Sequence, residues 1–181
     1  VTASGVTTVT GTAEAVIAAY ADIENGLGNE AINVNSGTTS VSELNQIDDL
    51  TDGIITATIT EGDLSTLTTL TDDNSNNALT ITVTDGTAAA ADLNTVNGKT
   101  SVDVIATAVN NVTGALSDLV TLYTASGFTG ASLGNEVVTI NDTGSVAAAD
   151  LTTVGDATGG AVTASGVTTV TGTAAEVIAA Y

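Results

Sequence analysis

The chain has no histidine, cysteine, methionine, tryptophan or proline, and a single cation, Lys99, set against 21 acidic residues. Each absence excludes something. Without cysteine there is no disulfide framework, no thiolate nucleophile and no cysteine metal site. Without histidine the usual general base near neutral pH is gone, so acid–base chemistry would fall to carboxylates alone. One lysine cannot displace counterions from phosphates, which excludes nucleic acid as a partner. The net charge of -20 also repels an anionic membrane surface. No apolar run reaches the length of a membrane span, so no membrane insertion is expected. There is no initiator methionine and no signal peptide, as expected of an internal fragment or a processed product. A glycosidase-like carboxylate pair is the one enzymatic option left, and nothing marks one pair among 21 acids. The sequence therefore predicts no enzyme, no catalytic residue and no cofactor.

What is present is small and apolar. Hydrophobic residues make up 43% of the chain and the mean hydropathy is +0.35, enough to bury a core despite the charge. Aromatics are limited to three tyrosines and one phenylalanine. Small β-branched residues with Thr, Gly, Asn and Asp suit narrow sheet layers joined by tight turns. Strong acidity keeps a protein soluble in high salt and makes divalent cations natural companions.

The order of these residues is repetitive. Residues 1–20, VTASGVTTVTGTAEAVIAAY, return 161 positions later as VTASGVTTVTGTAAEVIAAY, with one Ala/Glu pair exchanged. Two kinds of unit alternate between them. One runs from a strand into a short helix, at 31–53, 78–100 and 137–160. Two of its three copies follow the tetrapeptide LGNE, at 27–30 and 133–136. The other has a strand, a second strand after a small break, then a helix. Residues 5–20, 108–123 and 166–181 align without a gap, which puts all three tyrosines at one repeat position. A shortened copy at 55–77 lacks the second strand. From Val16 to Val177 six steps are taken in 161 residues, about 27 per step.

Apolar residues alternate with period two at Ile32/Val34, Ile55/Ala57/Ile59, Leu79/Ile81/Val83, Val102/Val104/Ala106 and Val138/Ile140, the mark of strands with one buried face. The opposite face is largely threonine, though Asn33 and Asp103 break the ranks that an ice-binding surface needs. The helices share an acid–apolar–x–x–apolar pattern: Glu43-Leu44/Ile47, Asp63-Leu64/Leu67, Asp92-Leu93/Val96, Asp118-Leu119/Leu122, Asp150-Leu151/Val154 and Glu176-Val177/Ala180. The apolar pair faces the sheet, and the acid sits near the positive end of the helix dipole. Ser40/Glu43 and Thr173/Glu176 have capping-box spacing. Gly53, Gly98 and Gly159 are expected as left-handed helix stops.

A strand, a turn and a short helix cannot bury their own apolar face, but stacked neighbours can. Helical connections between strands imply parallel pairing. The expected fold class is α/β: a right-handed repeat solenoid, with a parallel β-sheet on one side and short helices on the other. The chain is read as one solenoid array with coils near 1–30, 31–54, 55–77, 78–101, 102–136, 137–160 and 161–181, a fragment of a longer array.

The segments ADLNTVNGKT, VTASGVTTVTGTAAEVIAAY and GLGNEAINV resemble repeats in giant cell-surface proteins of marine cyanobacteria, the swimming-motility surface protein type of Synechococcus, with similar repeats in cyanophage proteins. The resemblance covers essentially the whole chain and rests on low-complexity Ala/Thr/Val/Gly segments. It implies an extracellular, seawater-facing repeat protein without enzymatic activity, and it transfers no catalytic residue.

Three sets of side chains are candidate ligand sites. Asp72, Asp73, Asn74 and Asn76 form the richest oxygen cluster and are candidate calcium ligands. Asp72, Asn74 and Asn76 match the first three ligand positions of an EF-hand loop. The pattern then fails, since Asn77 stands where glycine is needed and Val83 where a bidentate glutamate is needed. Asp48, Asp49 and Asp52 are a second candidate metal set. For both, a solvated loop is the competing reading. Tyr20, Tyr123 and Tyr181 are candidate platforms for stacking a surface polysaccharide. Their competing reading is a repeated packing residue over a helix end. The expected role is structural: a rod or filament on a cell surface, acting as spacer, coat or fibre, with copies of itself as partners by end-to-end stacking or chain continuation. The alternative is an adhesin or phage-fibre module that binds surface glycan, calcium or both.

Overall fold

The computed structural model describes residues 3–23, 26–35, 37–71, 76–128 and 133–181. The fold is α/β, built from parallel strands with helices between them. Its contacts fall into two compact units, Val1–Thr82 with Val96–Ile105, and Val83–Thr95 with Ala106–Tyr181.

In the first unit β1 (Thr8–Gly11), β2 (Ala31–Val34), β3 (Ile55–Thr58) and β4 (Ala78–Thr80) form one sheet in chain order, every pair parallel. Helices α1 (Ala13–Asp22), α2 (Val41–Asp48) and α3 (Leu64–Leu67) make the connections. The register stacks like on like, with Val9 beside Ile32 and Ile32 beside Ile55. This builds a buried ladder of Ile32, Ile55, Ala57 and Leu79, while Asn33, Thr56 and Thr58 stay exposed. A parallel sheet of such short strands has few hydrogen bonds per strand, so the apolar ladder and the helices laid on it supply most of the stability.

The second unit repeats the pattern. β5 (Thr87–Ala89), β6 (Asn111–Gly114), β7 (Val137–Ile140) and β9 (Val162–Thr163) form one parallel sheet; β8 (Gly144–Ala147) and β10 (Val167–Thr171) form another. Helices α5 (Leu116–Thr124), α6 (Ala148–Ala157) and α7 (Ala174–Ala179) follow β6, β8 and β10, and α4 (Ala90–Asn97) follows β5.

The helix pattern is buried as its spacing predicts in α2 to α5: Leu44/Ile47, Leu64/Leu67, Leu93/Val96 and Leu119/Leu122. It weakens toward the chain's C-terminal side. Leu151 of α6 is half-exposed, and neither Val177 nor Ala180 is buried. Both capping boxes form, at Ser40/Glu43 and Thr173/Glu176. α5 starts at Ala115, which has no capping side chain, and Asp142 from the following unit accepts the Leu116 N–H at 2.6 Å instead. Glu61 does the same for the Val41 N–H of α2 at 3.1 Å.

Two expectations need correction. Residues 102–106 do not form a strand; they contribute an isolated bridge from Ile105 to Thr82. Val104 and Ala106 are buried, but Val102 is 40% exposed, because the sheet pairing reaches only one residue of the run. Gly53, Gly98 and Gly159 are not left-handed stops, since none has positive φ. Gly53 is required for another reason. A Cβ there would stand 2.1 Å from the carbonyl oxygen of Glu30, and Gly160 meets that of Glu136 at the same distance. Glycine is needed for close approach of two backbones, a constraint that local sequence does not display.

Candidate functional site

The repeated tetrapeptide LGNE builds the most organised polar site in each unit. Glu30 and Glu136 are 6% and 3% exposed, rare burial for a carboxylate. Glu30 Oε2 accepts hydrogen bonds from the Tyr20 hydroxyl at 3.0 Å, the Gly28 N–H at 2.6 Å and the Asn29 N–H at 3.2 Å. Glu136 repeats the arrangement. Its Oε1 accepts from the Tyr123 hydroxyl at 2.5 Å, and its Oε2 from the N–H groups of Gly134 at 2.6 Å and Asn135 at 2.9 Å. Positive φ at Gly28 (141°) and Gly134 (129°) lets the turn fold two successive N–H groups back onto the carboxylate that follows.

A third element closes each clasp. The Thr51 hydroxyl donates to the Glu30 carbonyl at 2.9 Å and accepts the Gly53 N–H at 3.0 Å. The Thr158 hydroxyl does the same with the Glu136 carbonyl and the Gly160 N–H, at 2.7 and 3.0 Å. One glutamate thus binds together the end of one helix, the start of the next strand and the turn after the next helix. The charge is balanced by oriented N–H and O–H dipoles, in keeping with a chain that has one lysine.

The electrostatics follow from these contacts. Burial acts to raise the Glu30 carboxyl, but hydrogen bonds from the Gly28 N–H, its own N–H, the Tyr20 hydroxyl and the Asn29 N–H outweigh it and hold the group below its usual range. Burial pushes the Tyr20 phenol up to about 12; a Thr51 contact opposes this, and the hydrogen bond and charge of Glu30 add to it. Burial, with the hydrogen bond and charge of Glu136, raises the Tyr123 phenol as well. The Tyr20 pair is therefore locked as carboxylate and neutral phenol. That suits a fastener and not a proton shuttle.

The remaining sequence candidates are distributed as follows. Asp72, Asp73 and Asn74 lie outside the described residues. Asn76 accepts the Ser101 hydroxyl at its backbone carbonyl, at 3.3 Å. Asp48 is buried and accepts from the Asn77 side-chain amide at 3.1 Å; Asn77, itself buried, accepts the Ile55 N–H at 2.8 Å. Asp49 caps the end of α2 and is exposed, as is Asp52, whose N–H donates to the Gly28 carbonyl. No group of three or more acidic side chains gathers to hold a metal ion among the described residues. Tyr20 and Tyr123 are half-buried with their hydroxyls on glutamates, whereas Tyr181 is 94% exposed.

Glu30 and Glu136 were not singled out as site residues by the sequence. Their one signal is the recurrence of LGNE, with a tyrosine 10 residues upstream in one copy and 13 in the other. No helix among the described residues is long and apolar enough to cross a membrane. Comparison with family models, with curated proteins and with solved structures finds no match to this chain.

Proposed function

We propose that this chain is a segment of an extracellular structural fibre. Its strand–helix units stack as a right-handed solenoid array, with coils near the boundaries read from the sequence, and the array forms a rod on a cell surface as spacer, coat or fibre. The observation that carries this reading is the recurrence of one fastener. The same Tyr–Glu–Thr clasp joins one unit to the next at two places, with the strands on either side of it parallel and in register. A chain that repeats its joint in this way invests its polar chemistry in propagation along an axis. The reading involves no catalytic step. The acidic surface keeps such a rod hydrated and draws cations, calcium among them.

The test is length. Two copies of the chain joined in tandem, compared with one by small-angle scattering and electron microscopy, are expected to lengthen by on the order of 30 Å at unchanged cross-section. Two separate beads, or a particle that thickens as it doubles, would rule the reading out.

A further inference from the structure

The face formed by β10 and α7 is the unfinished counterpart of a joint that is complete elsewhere in the same unit. A hollow of about 230 Å³ is lined by Leu151, Ala164, Val167, Val170, Ala180 and Tyr181. The repeat maps these positions onto Leu93, Ala106, Val109, Val112, Leu122 and Tyr123. The first five of that second set are buried, and the Tyr123 hydroxyl is taken by Glu136. There the cover is a single continuous unit: LGNE at 133–136, then β7 paired with β6, then α6 packed on α5. β10 pairs with β8 on one side only among the described residues, α7 has no buried residue, Ile178 is 76% exposed, and the Tyr181 hydroxyl meets no described glutamate.

We propose that this face binds the LGNE strand–helix unit of a second copy of the chain, residues 27–53, by replacing that copy's own residues 1–20. The inference rests on the fibre reading and supplies its joint. The occupant is fixed by the internal precedent: in the first unit, residues 27–53 already cover a segment of nearly the same sequence as 162–181, with Glu30 on Tyr20 and β2 on β1. Exchange of one element for its near-identical copy preserves every contact of the joint. Two features favour the incoming copy. α7 has a complete capping box, whereas α1 has only the Thr12 bond to the Ala15 N–H. Release of residues 1–20 also restores the chain entropy of that segment. The bond made is a hydrogen bond from the Tyr181 hydroxyl to Glu30 of the second copy.

The test uses the full chain and a version with a second copy of residues 21–53 appended after Tyr181, which occupies the face internally. Sedimentation velocity over rising concentration is paired with tetranitromethane nitration read by mass spectrometry, with Tyr20 and Tyr123 as internal references. The full chain is expected to associate head to tail. Tyr181 should become protected as it does, and amide exchange over residues 8–20 should speed up. The appended chain is expected to stay monomeric with Tyr181 protected throughout, and to lose that protection when its added glutamate is changed to alanine. Tyr181→Phe is expected to weaken association roughly tenfold. A full chain that stays monomeric with Tyr181 freely nitrated overturns the proposal, as does association that the appended unit fails to block. Protection that appears only on adding a glycan assigns the face to another occupant and overturns it too. A tandem rod with a free Tyr181 would sink the exchange and leave the fibre reading standing. Blocked association without a rod would do the reverse.

Discussion

Residues 1–20 and 162–181 differ by one exchanged Ala/Glu pair, yet they do not adopt the same burial. In α1, Ala13 and Val16 are buried and the Tyr20 hydroxyl is fastened to Glu30. In α7 nothing is buried and Tyr181 stands in solvent. The apolar residues are the same; the neighbour is not. α1 is followed by LGNE, β2 and α2, and no described segment covers α7. Burial in a repeat is thus a property of the joint between units, and a helix of two turns reads as core or as surface according to what is stacked on it. The exchanged pair has its own effect. Glu176 sits at the third helical position and closes a capping box with Thr173, while Glu14 sits one position too early and leaves Ala15 there. The more exposed copy is the better capped one.

The comparison can be broken most sharply at repeat-equivalent leucines. Leu93→Ala, in a covered position, is expected to lower unfolding free energy by about 2–5 kcal/mol in urea titrations. Leu151→Ala, whose cover is partial, is expected to cost clearly less. Equal losses would mean that coverage does not set burial here.

Close approach gives the next effect. Gly53→Ala and Gly160→Ala each drive a Cβ into a glutamate carbonyl, and a loss of about 1–3 kcal/mol is expected for each. Gly155, which has open space around it, should accept alanine with no loss, measured in the same titration.

The clasp sharpens the comparison through pH. Glu30 titrates below its ordinary 4.5 in the fold, so its contribution is complete above that value and is lost as pH falls through the lower folded value. Tyr20 moves the other way, from 10.0 to about 12, so its contribution is complete below pH 10 and is lost as pH rises through about 12. Thermal melts should show a plateau between these limits with a fall on each side. Glu30→Gln is expected to cost about 1–3 kcal/mol at neutral pH and to flatten the acid limb. A variant with the acid limb unchanged would show that the buried carboxylate is not what the fold protects.

The smallest effect concerns the exchanged pair. The double substitution Glu14→Ala with Ala15→Glu should complete the missing box in α1 and add about 0.5 kcal/mol, seen as a small rise in melting temperature. If association through the β10 and α7 face proceeds by exchange, the same change should weaken it.

Much of the fold was legible because its causes are local. Period-two alternation marked Ile32, Ile55, Leu79 and Val138, and the acid–apolar spacing marked Leu44, Leu93 and Leu119, since each depends on residues within one turn or one strand. Ser40 and Thr173 were legible as caps for the same reason. The clasp was not. A glutamate in a chain with 21 acids reads as solvated, and Glu30 becomes buried only when Tyr20 and Thr51, from segments on either side, close over it. Gly53 was legible as a special residue but for the wrong cause, because its constraint is the carbonyl of a residue in another segment. Residues 102–106 carried the alternation of a strand without the partners that make one.

The capping of α2 by Glu61 and of α5 by Asp142 gives the molecule a direction in time. In both cases an N–H at the start of a helix waits for a carboxylate that is synthesised later, by 20 residues in one helix and 26 in the other. The tyrosines wait in the same way for their glutamates. A chain emerging from the ribosome therefore always carries one unit that is not yet locked, and each newly made unit acts as the latch on its predecessor. Growth proceeds like a ratchet from N- to C-terminus, and the last unit made is the first to loosen.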